Sequence, residues 1–143
     1  MDTATLALLL SVLSLIVSLV ALMRDRARVR ASCVPVQSHT KLWDLHVTVL
    51  NGGNRPISIA HVSLQPAGLA NSLFVNFNSA GSNKIDVGES KTAVISPAGI
   101  PPQFAWRSCE ELLAYRVFIT DALENKHRAP FQHKRKWWHR LRS

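Results

Sequence analysis

The sequence predicts a mainly β protein in three parts: an N-terminal transmembrane α-helix, an antiparallel β-sandwich and a basic C-terminal tail. Three observations carry that reading. Ala4 to Met23 runs for twenty residues without a charge, Gly or Pro. Beyond it the apolar residues alternate, and Gly, Pro and Asn clusters interrupt them at short intervals. The last stretch, 128–143, holds Arg128, Lys134, Arg135, Lys136, Arg140 and Arg142 and no acid. A chain of 143 residues has room for one domain plus a helix or tail, not for two domains. Its 47% hydrophobic content opposes wholesale disorder. Two cysteines are too few for a disulfide-stapled miniprotein or a four-cysteine zinc site.

At about 1.5 Å per residue, Ala4 to Met23 spans a hydrocarbon core of about 30 Å. A cleaved signal peptide starts basic and ends in small residues. Here the start is MDTAT, and Leu22-Met23 runs straight into RDRARVR, which makes residues 1–23 an uncleaved anchor. Arg24, Arg26, Arg28 and Arg30 all follow the span, in a basic juxtamembrane segment 24–30. Basic flanks stay on the cytoplasmic side, so the N-terminus is expected outside and the remainder in the cytoplasm. Cys33 and Cys109 are then expected as reduced, buried thiols.

The span has an internal pattern. Ala4, Ala7, Ser11, Ser14, Ser18 and Ala21 recur at alternating intervals of three and four, among Leu, Val and Ile. That is the repeat of a left-handed helix pair, and small residues let membrane helices approach closely. The seam predicts self-association, or docking of another membrane helix.

Formal net charge is +8, unevenly placed. Residues 31–127 balance seven basic against seven acidic side chains, so a neutral domain sits between two basic segments. Within that domain, Trp43, Leu45, Val47 and Val49 point one way and Asp44, His46 and Thr48 the other, as in a strand with one buried face. Asn51-Gly52-Gly53-Asn54-Arg55-Pro56 is a turn. Ile57, Ile59, Val62 and Leu64 form the next strand, with a phase slip at Ala60-His61 that predicts a bulge. Further strands are expected at Leu73–Phe77, Lys84–Val87, Thr92–Ser96, Leu113–Thr120 and His127–Phe131. Ser108 and Glu111 have capping-box spacing for one helical turn. Six to eight short strands make an antiparallel sandwich over residues 31–130, with a small barrel as the alternative.

Two stretches carry a resemblance. VTVLNGGNRPISIAHVSL at 47–64 and YRVFITDALENKHRAP at 115–130 resemble immunoglobulin-like or fibronectin-like sandwiches, in particular those of uncharacterised bacterial single-pass membrane proteins. The resemblance implies an immunoglobulin-like fold and an interaction role, and brings no catalytic residue with it. Cys33 and Cys109 do not make a convincing Cys…Trp…Cys arrangement of the antibody type.

Enzyme signatures are missing: there is no glycine-rich phosphate loop, HExxH, GxSxG or paired CxxC. No catalytic residue, metal ligand or cofactor is expected. Glu110 and Glu111 are adjacent and point apart, and His127, His133 and His139 lie six apart, which puts no two on one helical face. The tail 131–143 interleaves Lys134, Arg135, Lys136, Arg140 and Arg142 with Trp137 and Trp138. With Arg24, Arg26, Arg28 and Arg30, these are the candidates for binding anionic lipid headgroups. Nucleic acid is the competing partner, since the same residues neutralise phosphates and stack on bases.

The expected function is that of a non-enzymatic scaffold. It self-associates through its helix and holds a sandwich at the cytoplasmic membrane surface. Loops 51–56, 78–83 and 97–103 are its candidate recognition surfaces for a protein partner. The alternatives are a small oligomeric effector that perturbs the bilayer, and membrane tethering of nucleic acid through the tail.

Overall fold

The computed structural model describes residues 2–24, 28–77 and 82–132. Helix α1 covers Thr3–Arg24, and its stretch Thr3–Leu22 is long and apolar enough to cross a membrane. Eight strands follow among the described residues: β1 Val29–Gln37, β2 Trp43–Asn51, β3 Ile57–Gln65, β4 Leu73–Asn76, β5 Lys84–Ile85, β6 Ser90–Ile95, β7 Arg116–Asp121 and β8 Lys126–Arg128. A short helix, α2 (Cys109–Leu113), precedes β7. Every pairing between these strands is antiparallel. One sheet has the order β1-β2-β6, and the other β4-β3-β7-β8 with β5 also on β3. Two sheets facing across one core make the sandwich, and the barrel alternative falls away.

Alternation builds that core. Leu45, Val47 and Val49 of β2 face Ile57, Ile59, Val62 and Leu64 of β3 and Val117 and Ile119 of β7, all buried. The phase slip is real: the β3–β7 register shifts between Ile59 and His61. Without that extra residue Val62 and Leu64 would face solvent, because a one-residue slip turns every later side chain over. Trp106 and Leu112, from the connection before β7, close the core at the end away from α1. Trp106 donates its indole N–H to the Trp43 carbonyl and meets Tyr115 edge-on at 5.7 Å.

Several boundaries differ from expectation. β1 is a strand that alternation does not announce, since Val34 and Val36 put apolar residues on its outer face and Pro35 stands inside it. Pro35 is tolerated because β1 is an edge strand. β1 begins at Val29, inside the basic segment expected at 24–30. β7 begins at Arg116 rather than Leu113, because Leu113 closes α2. There the Ser108 hydroxyl accepts from the Glu111 N–H at 3.2 Å, as the capping spacing predicts. β8 ends at Arg128, and Phe131 instead forms a parallel bridge to Cys33 on the open edge of β1. On the opposite side, Lys91 of edge strand β6 reaches across to β5, donating to the Lys84 carbonyl at 2.6 Å. An inward-reaching lysine also discourages pairing of that edge with another chain.

Asn51 is wholly buried at the end of β2. Its amide donates to the carbonyls of Arg55 at 2.7 Å and Ile85 at 3.2 Å and accepts from the Gly53 N–H at 3.0 Å. Its main chain bonds Glu89 and Gly88. Asn51→Leu removes the bond to Arg55 and strands the buried Ile85 carbonyl and Gly53 N–H, each worth about 1–3 kcal/mol when unpaired. The expected loss is therefore about 3 kcal/mol or more in denaturant unfolding of the detergent-solubilised chain. A loss below about 1 kcal/mol contradicts this role.

Candidate interaction surfaces

On α1 the seam residues Ala4, Ala7, Ser11, Ser14, Ser18 and Ala21 are all exposed. An α-helix drifts by about 20° per heptad against a strict repeat of seven, so they form one gently left-handed stripe. Ser11, Val12, Ser14, Leu15 and Ser18 line a shallow groove along it. The Ser18 hydroxyl donates to the Ser14 carbonyl at 2.8 Å, which satisfies its proton within the helix.

The sandwich has two ends. Helix α1 leads into β1, so the end where β1 starts is the one that joins it. The Gly52 N–H donates to the Arg28 carbonyl at 2.8 Å, and the Gly88 N–H to the Asn51 carbonyl at 2.8 Å. The Ala122 N–H donates to the Ser58 carbonyl at 2.8 Å, which brings the β7–β8 turn to the same end. Arg28, Arg55, Val87 and Leu123 are exposed here, Leu123 at 81%. Loop 51–56 and residues 82–83 therefore lie at the helix-joining end, while 97–103, which follows the end of β6, lies at the opposite end. The three expected recognition loops do not form one surface.

Among the basic candidates, Arg28 sits at the helix-joining end and Arg30 on the outer face of β1, both exposed. Arg24 closes α1. Arg26, Lys134, Arg135, Lys136, Trp137, Trp138, Arg140 and Arg142 lie outside the described residues, as does 78–81 of the second loop. The chain approaches that tail beside β1: the Cys33 N–H donates to Pro130, and the Gln132 N–H to the Cys33 carbonyl. Because the bridge is parallel, the chain at Gln132 runs away from the helix-joining end.

A surface that sequence reasoning missed is the outer face of the five-stranded sheet. Ser63 pairs with Phe74 on β4 and with Phe118 on β7, and Phe118 pairs with Arg128 on β8. One row nearer the helix-joining end, His61 pairs with Asn76 and Thr120, and Thr120 with Lys126. Gln65 and Arg116 pair at the far end. Paired residues share a face, so these side chains form one platform. Phe74 is 63% exposed, His61 meets it edge-on at 5.0 Å, and Ser63 is buried between the rings. Arg116, Lys126 and Arg128 are exposed, and no acid occupies any of these paired positions. The only sequence signal was that Phe118 makes the second face of β7 apolar; which strands lie beside it is a matter of topology.

Both cysteines are free and buried, in keeping with the expected thiols. Burial pushes the Cys33 thiol up to about 12, so it stays protonated near neutral pH. Burial also raises Cys109, helped by the charge of Glu110. Among the described residues no three His, Cys, Asp or Glu side chains are grouped to hold a metal ion.

Asp121 and His127 meet at 3.1 Å beside the β7–β8 turn. The same carboxylate accepts from the Leu123 and Asn125 N–H groups, both at 2.9 Å, and from the Asn125 amide. These bonds make it a clamp for a turn in which Glu124 takes a positive φ of 63°. Burial alone pushes the Asp121 carboxyl up, but the hydrogen bonds from His127, Asn125 and Leu123 together outweigh it. The carboxyl is held below its ordinary value.

No protein-family model matches the chain, and no curated protein matches it either.

A lowered folded-state pKa stabilises above the ordinary carboxylate value and stops doing so as pH falls through the folded one. The Asp121 contribution is therefore expected to hold from neutral pH to about pH 4 and to fade below it. Asp121→Asn should flatten that part of the stability profile measured by denaturant unfolding between pH 2 and 7. An unchanged profile contradicts the clamp.

Proposed function

We propose that this protein is a non-enzymatic, single-pass interaction module that holds its β-sandwich against the cytoplasmic face of a membrane. The observation that carries the reading is the short join between helix and sandwich. Arg24 closes α1 and the Arg28 carbonyl already bonds Gly52, so about 14 Å of extended chain is the most that separates them. A helix across the bilayer then keeps the helix-joining end within reach of the headgroup layer. Arg28 and Arg55 offer that layer cations, and Val87 and Leu123 offer apolar side chains. The basic-aromatic tail adds a second contact: residues 133–143 can extend about 36 Å from Gln132, enough to double back along β1. The module resembles immunoglobulin-like domains in its two antiparallel sheets, and the arginines after α1 support an outside N-terminus.

A C-terminal epitope tag tests the orientation. It should resist protease in intact cells and be cleaved after permeabilisation; cleavage in intact cells overturns the cytoplasmic placement.

Lateral association through the Ala/Ser seam completes the proposal. Replacing Ser11, Ser14 and Ser18 together by Leu fills the groove and should lower energy transfer between labelled copies in bilayers by about ten-fold in association constant, for close helix packing worth about 1–2 kcal/mol. Unchanged transfer rejects the seam. Collapse of membrane potential on expression, suppressed by the same triple variant, would instead identify a bilayer-perturbing effector.

A further inference from the structure

We infer that the outer face of the five-stranded sheet binds single-stranded nucleic acid, with Phe74 and Phe118 as stacking rings and Arg116, Lys126 and Arg128 as phosphate contacts. The inference deepens the proposed interaction role and rests on the cytoplasmic placement for its biological setting.

The charge comes first. The domain between residues 31 and 127 is neutral as a whole, yet every charged side chain at the paired outward positions of β3, β4, β7 and β8 is basic. The acids of β7 and its turn lie elsewhere: Asp121 is buried in its clamp and Glu124 sits at the tip. Folding gathers Arg116 and Lys126 of the neutral stretch with Arg128, just beyond it, on one cationic face, which fits a polyanion.

The rings come second. Phe74 leaves most of its surface in water, a cost that a charged or small residue would avoid. Phe118, half-buried, lies two strands away in the same row, roughly 10 Å across, with the buried Ser63 between them. A base can stack on the exposed Phe74 ring, and the next base of the strand can reach Phe118 across the row. Asn76, His61 and Gln65 supply hydrogen-bonding groups along its path. Stacking needs an open base face, so the platform takes an unpaired strand and not a duplex.

Geometry argues against lipid on this face. It runs along the strands, away from the helix-joining end, and its exposed apolar groups are rings rather than the aliphatic side chains found at that end.

The test uses the full chain in nanodiscs of neutral lipid, with a fluorescent 12-mer of thymidylate as the probe and a duplex of equal length beside it. The single strand is expected to bind more tightly than the duplex. Phe74→Leu keeps the side chain apolar while removing the π-face, and should weaken binding roughly ten-fold with the salt dependence unchanged. Arg128→Gln should lower the slope of log affinity against log salt by about 0.7, the value for one phosphate contact on a single strand. Because the tail is also basic, the slope alone does not identify the face; the ring variant does. Unchanged affinity in Phe74→Leu overturns the inference and assigns any binding to the tail. Equal duplex affinity overturns it as well. Binding to phosphatidylserine vesicles that depends on Phe74, without binding to the oligonucleotide, replaces it with a lipid site. Failure of the chain to insert into nanodiscs rejects the membrane anchor independently, and the ring dependence is then read on the detergent-solubilised chain.

Discussion

Closing the sandwich at the end where the helix enters is the constraint on which the remainder of this structure depends. An apolar core between two sheets has to be sealed at both ends, and here the backbone must also pass from helix to strand within a few residues. Asn51 meets both demands. It is wholly buried, and its amide and main chain together join β2, the 51–56 turn, β5 and the turn before β6. A buried amide is stabilising only when its partners are all in place, so these segments are held as one unit. The Arg28 carbonyl joins that unit through Gly52, which fixes where the chain from the helix arrives.

The two long edges are managed by different means. On one side the chain after β8 lies against β1 through Pro130, Phe131 and Gln132; on the other, Lys91 spans from β6 to the carbonyls of Ser82 and Lys84. The broad sheet faces and the two ends are the larger surfaces open to partners. Their chemistry differs. The outer face of the three-stranded sheet carries Arg30 and Asp44, opposite charges, and its Thr48 and Thr92 hydroxyls bond each other at 2.9 Å. The outer face of the five-stranded sheet carries only basic charges beside its rings. That asymmetry is why the second face, and not the first, is the candidate for an anionic partner.

Much of this fold was legible residue by residue. The α1 span follows from an uninterrupted apolar stretch, and the β3 bulge from the slip between Ile59 and Val62. The turn at Asn51–Pro56 follows from a cluster of Gly, Asn and Pro that favours turns, and the cap at Ser108 from its spacing to Glu111. Each of these signals is local. β1 escaped because its outer face is also partly apolar, so no alternation marks it. Leu113 closes α2 although a Leu two residues before Tyr115 fits a strand period as well as a helix end.

The sequence by itself determined the membrane-competent helix, the buried faces of most strands and the separation of a neutral domain from two basic flanks. These depend on period and composition, which neighbours along the chain express. Only the tertiary structure decided that loop 51–56 and loop 97–103 stand at opposite ends, and that Phe74, Ser63, Phe118 and Arg128 form one row. Those residues are brought together by strand order, which places β3 between β4 and β7. Strand order is set by how all the buried faces fit at once, and no local pattern in the chain encodes it.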